Sequence, residues 1–231
     1  MAMKLNKLKH PVTYILIGLG VMLLIILLYM GVFQSIEIKT EKQPAMLLVC
    51  QPHTGPYSET MRSFDQLSAA IANTALNDAN RAGIYYDNPD KVPAIRLRSA
   101  ACVIAASAEQ RAAMDQLVTA KSSPLALERL ELPGQKYYTT SFPLRNDFSI
   151  LLGVLRVYPA FQEFMRSHNH PEYTYRERDF QNTFVMEIYQ AGVIRYLMTI
   201  PAEEAVEIES NAADGDIDPT RDQPETTEGT D

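Results

Sequence analysis

Glu187 is the side chain with the clearest capacity for chemistry. It interrupts the apolar run Thr183-Phe184-Val185-Met186-Glu187-Ile188-Tyr189 and is the only charge between Asp179 and Arg195. Successive side chains of a strand point to opposite faces, so Glu187 points away from both Met186 and Ile188. The simpler expectation is a carboxylate on the solvent side of a half-buried strand. The alternative is a carboxylate in a groove, pairing with a cationic ligand beside Tyr189, Tyr85 and Tyr86, whose ring faces attract cations. The plain expectation for Tyr85, Tyr86 and Tyr137 is that of ordinary strand aromatics. Glu187, Tyr189, Tyr85 and Tyr86 are thus the candidate ligand-binding residues.

Other chemistries lack their residue sets. His10, His53, His168 and His170 do not fall at the i, i+4 spacing of helical metal ligands, and neither cysteine has a CxxC partner, so no metal site is expected. There is no Gly-x-Ser-x-Gly elbow, phosphate loop or kinase set, and neither catalytic residues nor a cofactor are expected. Cys50 and Cys102 sit in the apolar stretches 46–50 and 102–104. They read as two buried small hydrophobes rather than a disulfide, since two cysteines are too few for a disulfide scaffold. The compartment is not read from them.

These residues need elements to position them. The 231-residue chain is 46% hydrophobic and 21% charged, enough to build a core of one or two domains. Its net charge of -7 comes from the end of the chain: residues 203–231 hold 11 acidic residues and 1 basic one, whereas residues 11–202 hold 17 of each sign. A neutral domain without a basic cluster argues against a nucleic-acid partner. Residues 202–231, acidic and without Phe, Trp or Tyr, are expected to form a disordered tail.

Residues 11–36 carry no charge, and Tyr14 to Phe33 is almost wholly Ile, Leu, Val, Met and Gly. About 20 such residues span a hydrocarbon core of about 30 Å as a helix. The expectation is an uncleaved single-pass membrane anchor over 11–36, preceded by a basic N-terminus over 1–10, because the apolar stretch is long for a signal peptide and Gly31 to Ser35 is a poor cleavage site. Lys4, Lys7 and Lys9 against Lys39 and Lys42 lean toward a cytoplasmic N-terminus and a translocated domain. The host membrane is expected to be the endoplasmic reticulum in a eukaryote or the inner membrane in a bacterium.

Beyond the anchor, apolar spacing predicts a strand at 45–51, a helix through Met61, Phe64, Leu67, Ile71 and Ala75 with Ser58 as its N-cap, and a hairpin over 83–103 closed by Asp87-Asn88-Pro89-Asp90. Residues 108–120 read as a connector helix. Strands at 125–132 and 136–142 follow, then a helix from Phe148, capped by Asn146 or Asp147, that Pro159 should kink or split. A second hairpin runs over 183–189 and 193–200. The order strand, helix, strand, strand therefore occurs twice, in modules at about 37–106 and 125–201. The expected fold class is α+β: an antiparallel sheet with a helix on each half and a groove at the junction.

Four segments carry a family resemblance: His-Thr-Gly-Pro-Tyr-Ser-Glu-Thr at 53–60, Ile-Tyr-Tyr-Asp-Asn-Pro-Asp-Lys-Val-Pro at 84–93, Leu-Arg-Val-Tyr-Pro-Ala at 155–160 and Met-Glu-Ile-Tyr-Gln at 186–190. Together they resemble the GyrI-like (SHS2-type) small-molecule-binding domains, and with the N-terminal anchor most resemble a single-pass branch of ER-phagy receptors. The resemblance implies paired strand-helix-strand-strand modules with a ligand groove, and in some relatives a buried glutamate that binds drug-like cations; Glu187 matches that position. It points to a membrane-anchored module for an unknown small molecule or protein partner, with a receptor or adaptor role in autophagy as the alternative. The aromatic-x-x-aliphatic pattern that such receptors carry in their tail is absent from 203–231 and occurs only at Phe33–Ile36, Phe64–Leu67 and Phe148–Leu151, at the anchor's edge or in expected helices. A hydrolase, as among some relatives, is the weaker alternative, since those enzymes pair the glutamate with a tryptophan and this chain has none.

Overall fold

The computed structural model describes residues 6–120, 125–168 and 184–200. The acidic tail, with the expectation of disorder placed on it, lies outside the described residues, as does His170. The chain opens with helix α1 (Asn6–Tyr29), whose Val12–Tyr29 stretch has a mean hydropathy of 2.6 and no buried residue. It is the one helix among the described residues long and apolar enough to cross a membrane. The helix stops at Tyr29, earlier than the apolar composition implies. Met30 and Gly31 are buried, and the Val32 and Gln34 carbonyls accept from Arg156 of the domain, so the chain turns aside instead of extending the helix.

The two modules are present. Strand β1 (Lys39–Gln43) precedes β2 (Met46–Thr54), α2 (Thr60–Ile71), β3 (Arg81–Tyr85) and β4 (Arg98–Ile104). Helix α3 (Ala108–Thr119) and β5 (Glu128–Leu132) lead to β6 (Gln135–Pro143), α4 (Asp147–Ser167), β7 (Val185–Gln190) and β8 (Val193–Thr199). All eight strands form one antiparallel sheet in the order β1-β6-β8-β7-β3-β4-β2-β5, with β3 against β7 at the seam between modules. The edge strands are exchanged. β1, which leads into the first module, pairs with β6 of the second, and β5, which leads into the second, pairs with β2 of the first.

That exchange dictates the sheet's shape. In a flat sheet β5 and β6 would lie six strand spacings apart, about 29 Å. Only Pro133 and Gly134 connect them, which bridges at most about 11 Å. Pro44 and Ala45 likewise join β1 to β2. The sheet must therefore curl until its ends meet, and they do: a Cβ on Gly134 would lie 3.1 Å from the Ala45 nitrogen and 3.4 Å from the Gln43 oxygen. The curl encloses a core of Leu48, Ala82, Ile84, Ala100, Leu132, Tyr137, Met186, Ile188 and Leu197. The other face carries the helices, with Leu67 and Ile71 of α2 set on Val49, Ala101 and Val103.

Several local expectations change. Ser58 is not an N-cap, because Tyr57–Glu59 forms a 3-10 turn that runs directly into α2, whose cap position has no side-chain bond. Asn146 does cap α4, accepting from the Ser149 nitrogen while Ser149 Oγ accepts from the Asn146 nitrogen. Pro159 does not split α4. Val157, Phe161 and Met165 are buried on either side of it, and each buried large side chain contributes about 1.5–3 kcal/mol, which together exceeds the roughly 3 kcal/mol cost of an internal proline. The hairpin between β7 and β8 turns on Gly192, whose φ of 78° suits a residue without a Cβ.

Cys50 and Cys102 form a disulfide, contrary to the expectation of two free, buried thiols. The β2–β4 register sets them directly opposite, with Cα atoms 4.1 Å apart. Nothing local in the sequence encodes a register between strands 52 residues apart.

Candidate ligand-binding site

The seam between modules forms the floor of a pocket of about 990 Å³, with α2 and α4 as its walls. Glu187 lies at the centre of that floor and is 1% exposed. It does not face solvent, the simpler expectation, because β7 is covered on both faces: Met186 and Ile188 enter the curled core, and Glu187 lies beneath the helices. A buried carboxylate requires partners, and two tyrosines supply them. The Tyr158 hydroxyl of α4 donates to Oε1 at 2.9 Å and the Tyr189 hydroxyl donates to Oε2 at 2.6 Å. Burial raises the Glu187 pKa, and the two tyrosine hydrogen bonds oppose that rise.

Tyr85 and Tyr189 join Glu187 on this floor. Burial pushes both hydroxyls up, and the nearby Glu187 charge adds to the shift, so both phenols are neutral donors at ordinary pH. Tyr86 does not line this pocket. One residue further along the chain, its ring turns to the opposite face, against Phe184 and under the Arg98 guanidinium. Alternation at the end of β3 thus separates two neighbouring tyrosines that the sequence offers as equals.

Four further aromatic residues line the pocket, Tyr57, Phe64, Tyr158 and Phe184, and none was a candidate from the sequence. Tyr57 meets the Tyr85 ring edge-on at 5.0 Å, and Phe64 of α2 meets Tyr189 edge-on at 5.8 Å. Tyr158 lies in α4, where helical spacing marked the surrounding apolar residues as core and gave no reason to single out a hydroxyl. The signal for Tyr57 was its place in a loop segment rich in Pro and Gly.

The Asp87–Asn88 turn forms part of the rim, and its polar groups are committed to structure. Asp87 accepts from the Arg98 nitrogen at 2.6 Å, Nε at 3.0 Å and a terminal guanidinium nitrogen at 2.7 Å. The Tyr57 hydroxyl donates to the Asp87 carbonyl at 2.6 Å and accepts from the Asp87 nitrogen at 3.0 Å. Asn88 Oδ1 accepts from the Asp90 nitrogen at 2.9 Å. These bonds fix the loop that bears Tyr85 and hold Tyr57 at its side.

Residues 36–189 match the sequence pattern of the GyrI-like small molecule binding domain. The chain belongs to the GyrI-like family. It is 26% identical over 186 residues to the Homo sapiens testis-expressed protein 264, an alignment covering 78% of this chain and 54% of the human one. It is 39% identical over 64 residues to a DNA gyrase inhibitor of Escherichia fergusonii, covering 27% of this chain and 39% of that protein. The chain thus spans about half or less of the curated relatives it matches. Among solved structures, an integron cassette protein of Vibrio cholerae superposes with a TM-score of 0.43 at 10% identity, over 72% of this chain and 98% of that one. In this GyrI-like domain the pocket lies at the module seam, the place where two repeated halves can each contribute a wall.

Proposed function

We propose that this GyrI-like domain binds a small amphiphilic cation in the pocket between α2 and α4, without catalysing its turnover, and that α1 anchors it in a membrane. The observation carrying this reading is a carboxylate at 1% exposure, held by two tyrosine hydroxyls on the floor of a pocket with aromatic sides. An ionised Glu187 supplies the counter-charge, and Tyr57, Phe64, Tyr85 and Tyr189 offer rings to an apolar or cationic ligand. The apolar α4 side chains Leu151, Val154 and Leu155 suit the ligand's hydrocarbon part.

The test is titration with tetraphenylphosphonium, a permanent lipophilic cation. The parent should bind it and Glu187→Gln should lose at least tenfold in affinity, while Tyr86→Phe, altered on the opposite face, should match the parent. Equal binding by parent and Glu187→Gln would remove the carboxylate from the account.

The anchor's lysine bias and the Cys50–Cys102 disulfide together support a domain on the oxidising side of its membrane. The receptor alternative implies a cytosolic domain and gains no support from two of its three pattern matches, since Phe64–Leu67 lies within α2 and Phe148–Leu151 within α4, while Phe33–Ile36 follows α1 outside any helix. Thiol alkylation of the protein in its native membrane, without prior reduction, should leave both cysteines unmodified; their ready alkylation would place the domain in a reducing compartment.

A further inference from the structure

The apolar residues of α4 exceed what the sheet can cover. Ser149, Gly153, Val157, Phe161 and Met165 are buried against the strands. Phe148, Leu151 and Leu155, spaced i, i+3 and i+7 on another face, remain 54%, 50% and 61% exposed. A contiguous row of large apolar side chains is a contact surface awaiting an occupant, unlike a single exposed leucine.

The occupant is indicated by what holds the flank of the same helix. The Arg145 guanidinium lies 5.1 Å from the ring centre of Tyr29, the last residue of α1. Asn146 Nδ2 donates to Met30 Sδ at 3.8 Å. Arg156 donates to the carbonyls of Val32 and Gln34, the latter at 2.8 Å. The chain leaving α1 is thus fastened along the first half of α4 with no slack. With α1 in a bilayer and Tyr29 at its interface, α4 is held at the headgroup boundary, with the exposed Arg145 placed to meet lipid phosphates. The row also borders the pocket, since Leu151 and Leu155 belong to both.

We infer that Phe148, Leu151 and Leu155 rest in the interface of the same phospholipid bilayer that α1 crosses, so that the pocket takes its ligand from the lipid rather than from bulk water. This rests on the anchored reading of α1. A residue row on one helix face buries to the depth of an interfacial amphipathic helix, roughly 5–10 Å.

The chain has no tryptophan, so single substitutions give unambiguous fluorescence reporters. The full chain carrying Phe148→Trp or Leu155→Trp is reconstituted into phosphatidylcholine–phosphatidylglycerol vesicles, with and without dibrominated acyl chains. Val21→Trp in α1 reports the anchor, and Gln116→Trp on the exposed face of α3 reports a position in water. The expected result is bromolipid quenching at 148 and 155 several-fold above that at 116. Quenching at 21 alone would overturn the interfacial contact and leave the anchor standing. No quenching at 21 would overturn both. A blue-shifted but unquenched emission at 148 and 155, with self-association on sizing, would assign the row to a second copy of the chain and overturn the inference.

Discussion

Gly83 stands directly opposite Glu187 across the β3–β7 seam, and the Tyr85 ring occupies the space its missing side chain leaves. A Cβ at residue 83 would lie 3.0 Å from Tyr85 Cε2 and from its hydroxyl. Tyr85 therefore folds back along its own strand, over the glycine, to reach Tyr189 and the neighbourhood of the carboxylate.

Gly83→Ala should accordingly displace Tyr85 from the pocket floor. Alanine suits a strand better than glycine, so the fold should survive. Tetraphenylphosphonium affinity should fall several-fold with little change in melting temperature. Unchanged affinity would show that the Tyr85 position is immaterial to binding.

Glu187 should make stability fall as pH rises. Its pKa is raised in the folded chain, so its favourable contribution is complete below the unfolded value of about 4.3 and is lost as pH climbs through the folded value. Relative to Glu187→Gln, the parent should lose up to about 1.4 kcal/mol per pH unit within that window and level off above it. Denaturant midpoints for the two proteins across a pH series provide the measurement, and parallel curves would rule out a raised pKa. A cation that pairs with the ionised carboxylate should bind more tightly over the same rise in pH.

Gly153→Ala tests the close approach of α4 to the sheet. A Cβ there would lie 2.2 Å from the Tyr196 hydroxyl, and that buried hydroxyl has no hydrogen-bond partner among the described residues. Replacing an interior helical glycine with alanine ordinarily gains about 1 kcal/mol. Here overpacking should reverse the sign, for a net loss of about 1–3 kcal/mol by chemical denaturation. Adding Tyr196→Phe should restore much of it, since the clash is with the oxygen; failure of that rescue would place the strain elsewhere.

Loss of the disulfide should be costly. It closes 52 residues of sequence, for which chain entropy gives a stabilisation of up to about 4 kcal/mol. The double variant Cys50→Ser, Cys102→Ser should unfold at lower denaturant concentration than the oxidised parent and match it more closely once the parent is reduced. Coincident curves before reduction would mean that the bond does not form in solution.

The repeated strand-helix-strand-strand order was legible because apolar periodicity is local, and it carried the fold class and the groove with it. The fate of Glu187 was not. A lone acid in an apolar strand fits a solvated face equally well, and only the exchange of β1 and β5, a pairing over some 90 residues, curls the sheet so that one face closes on itself and the other must take the helices. Tyr85 and Tyr86 were indistinguishable for a related reason, since alternation tells which residues part company but not which face holds the pocket. The cysteine pair depended wholly on register. Tyr158 could not be found from its helix alone, because its role is set by the strand residue it meets.

The exchanged edges also determine how the domain bears load. Tension drawn on α1 enters first through the Arg156 contacts with residues 32 and 34 and then through the β1–β6 ladder, both of which belong to the second module. Helix α4 is therefore tied directly to the segment that leaves α1, while α2, packed on β2 and β4, is reached through β1 and the Pro44–Ala45 connection. With α1 anchored as proposed, a pull on it would reach the α4 wall of the Glu187 pocket before the α2 wall.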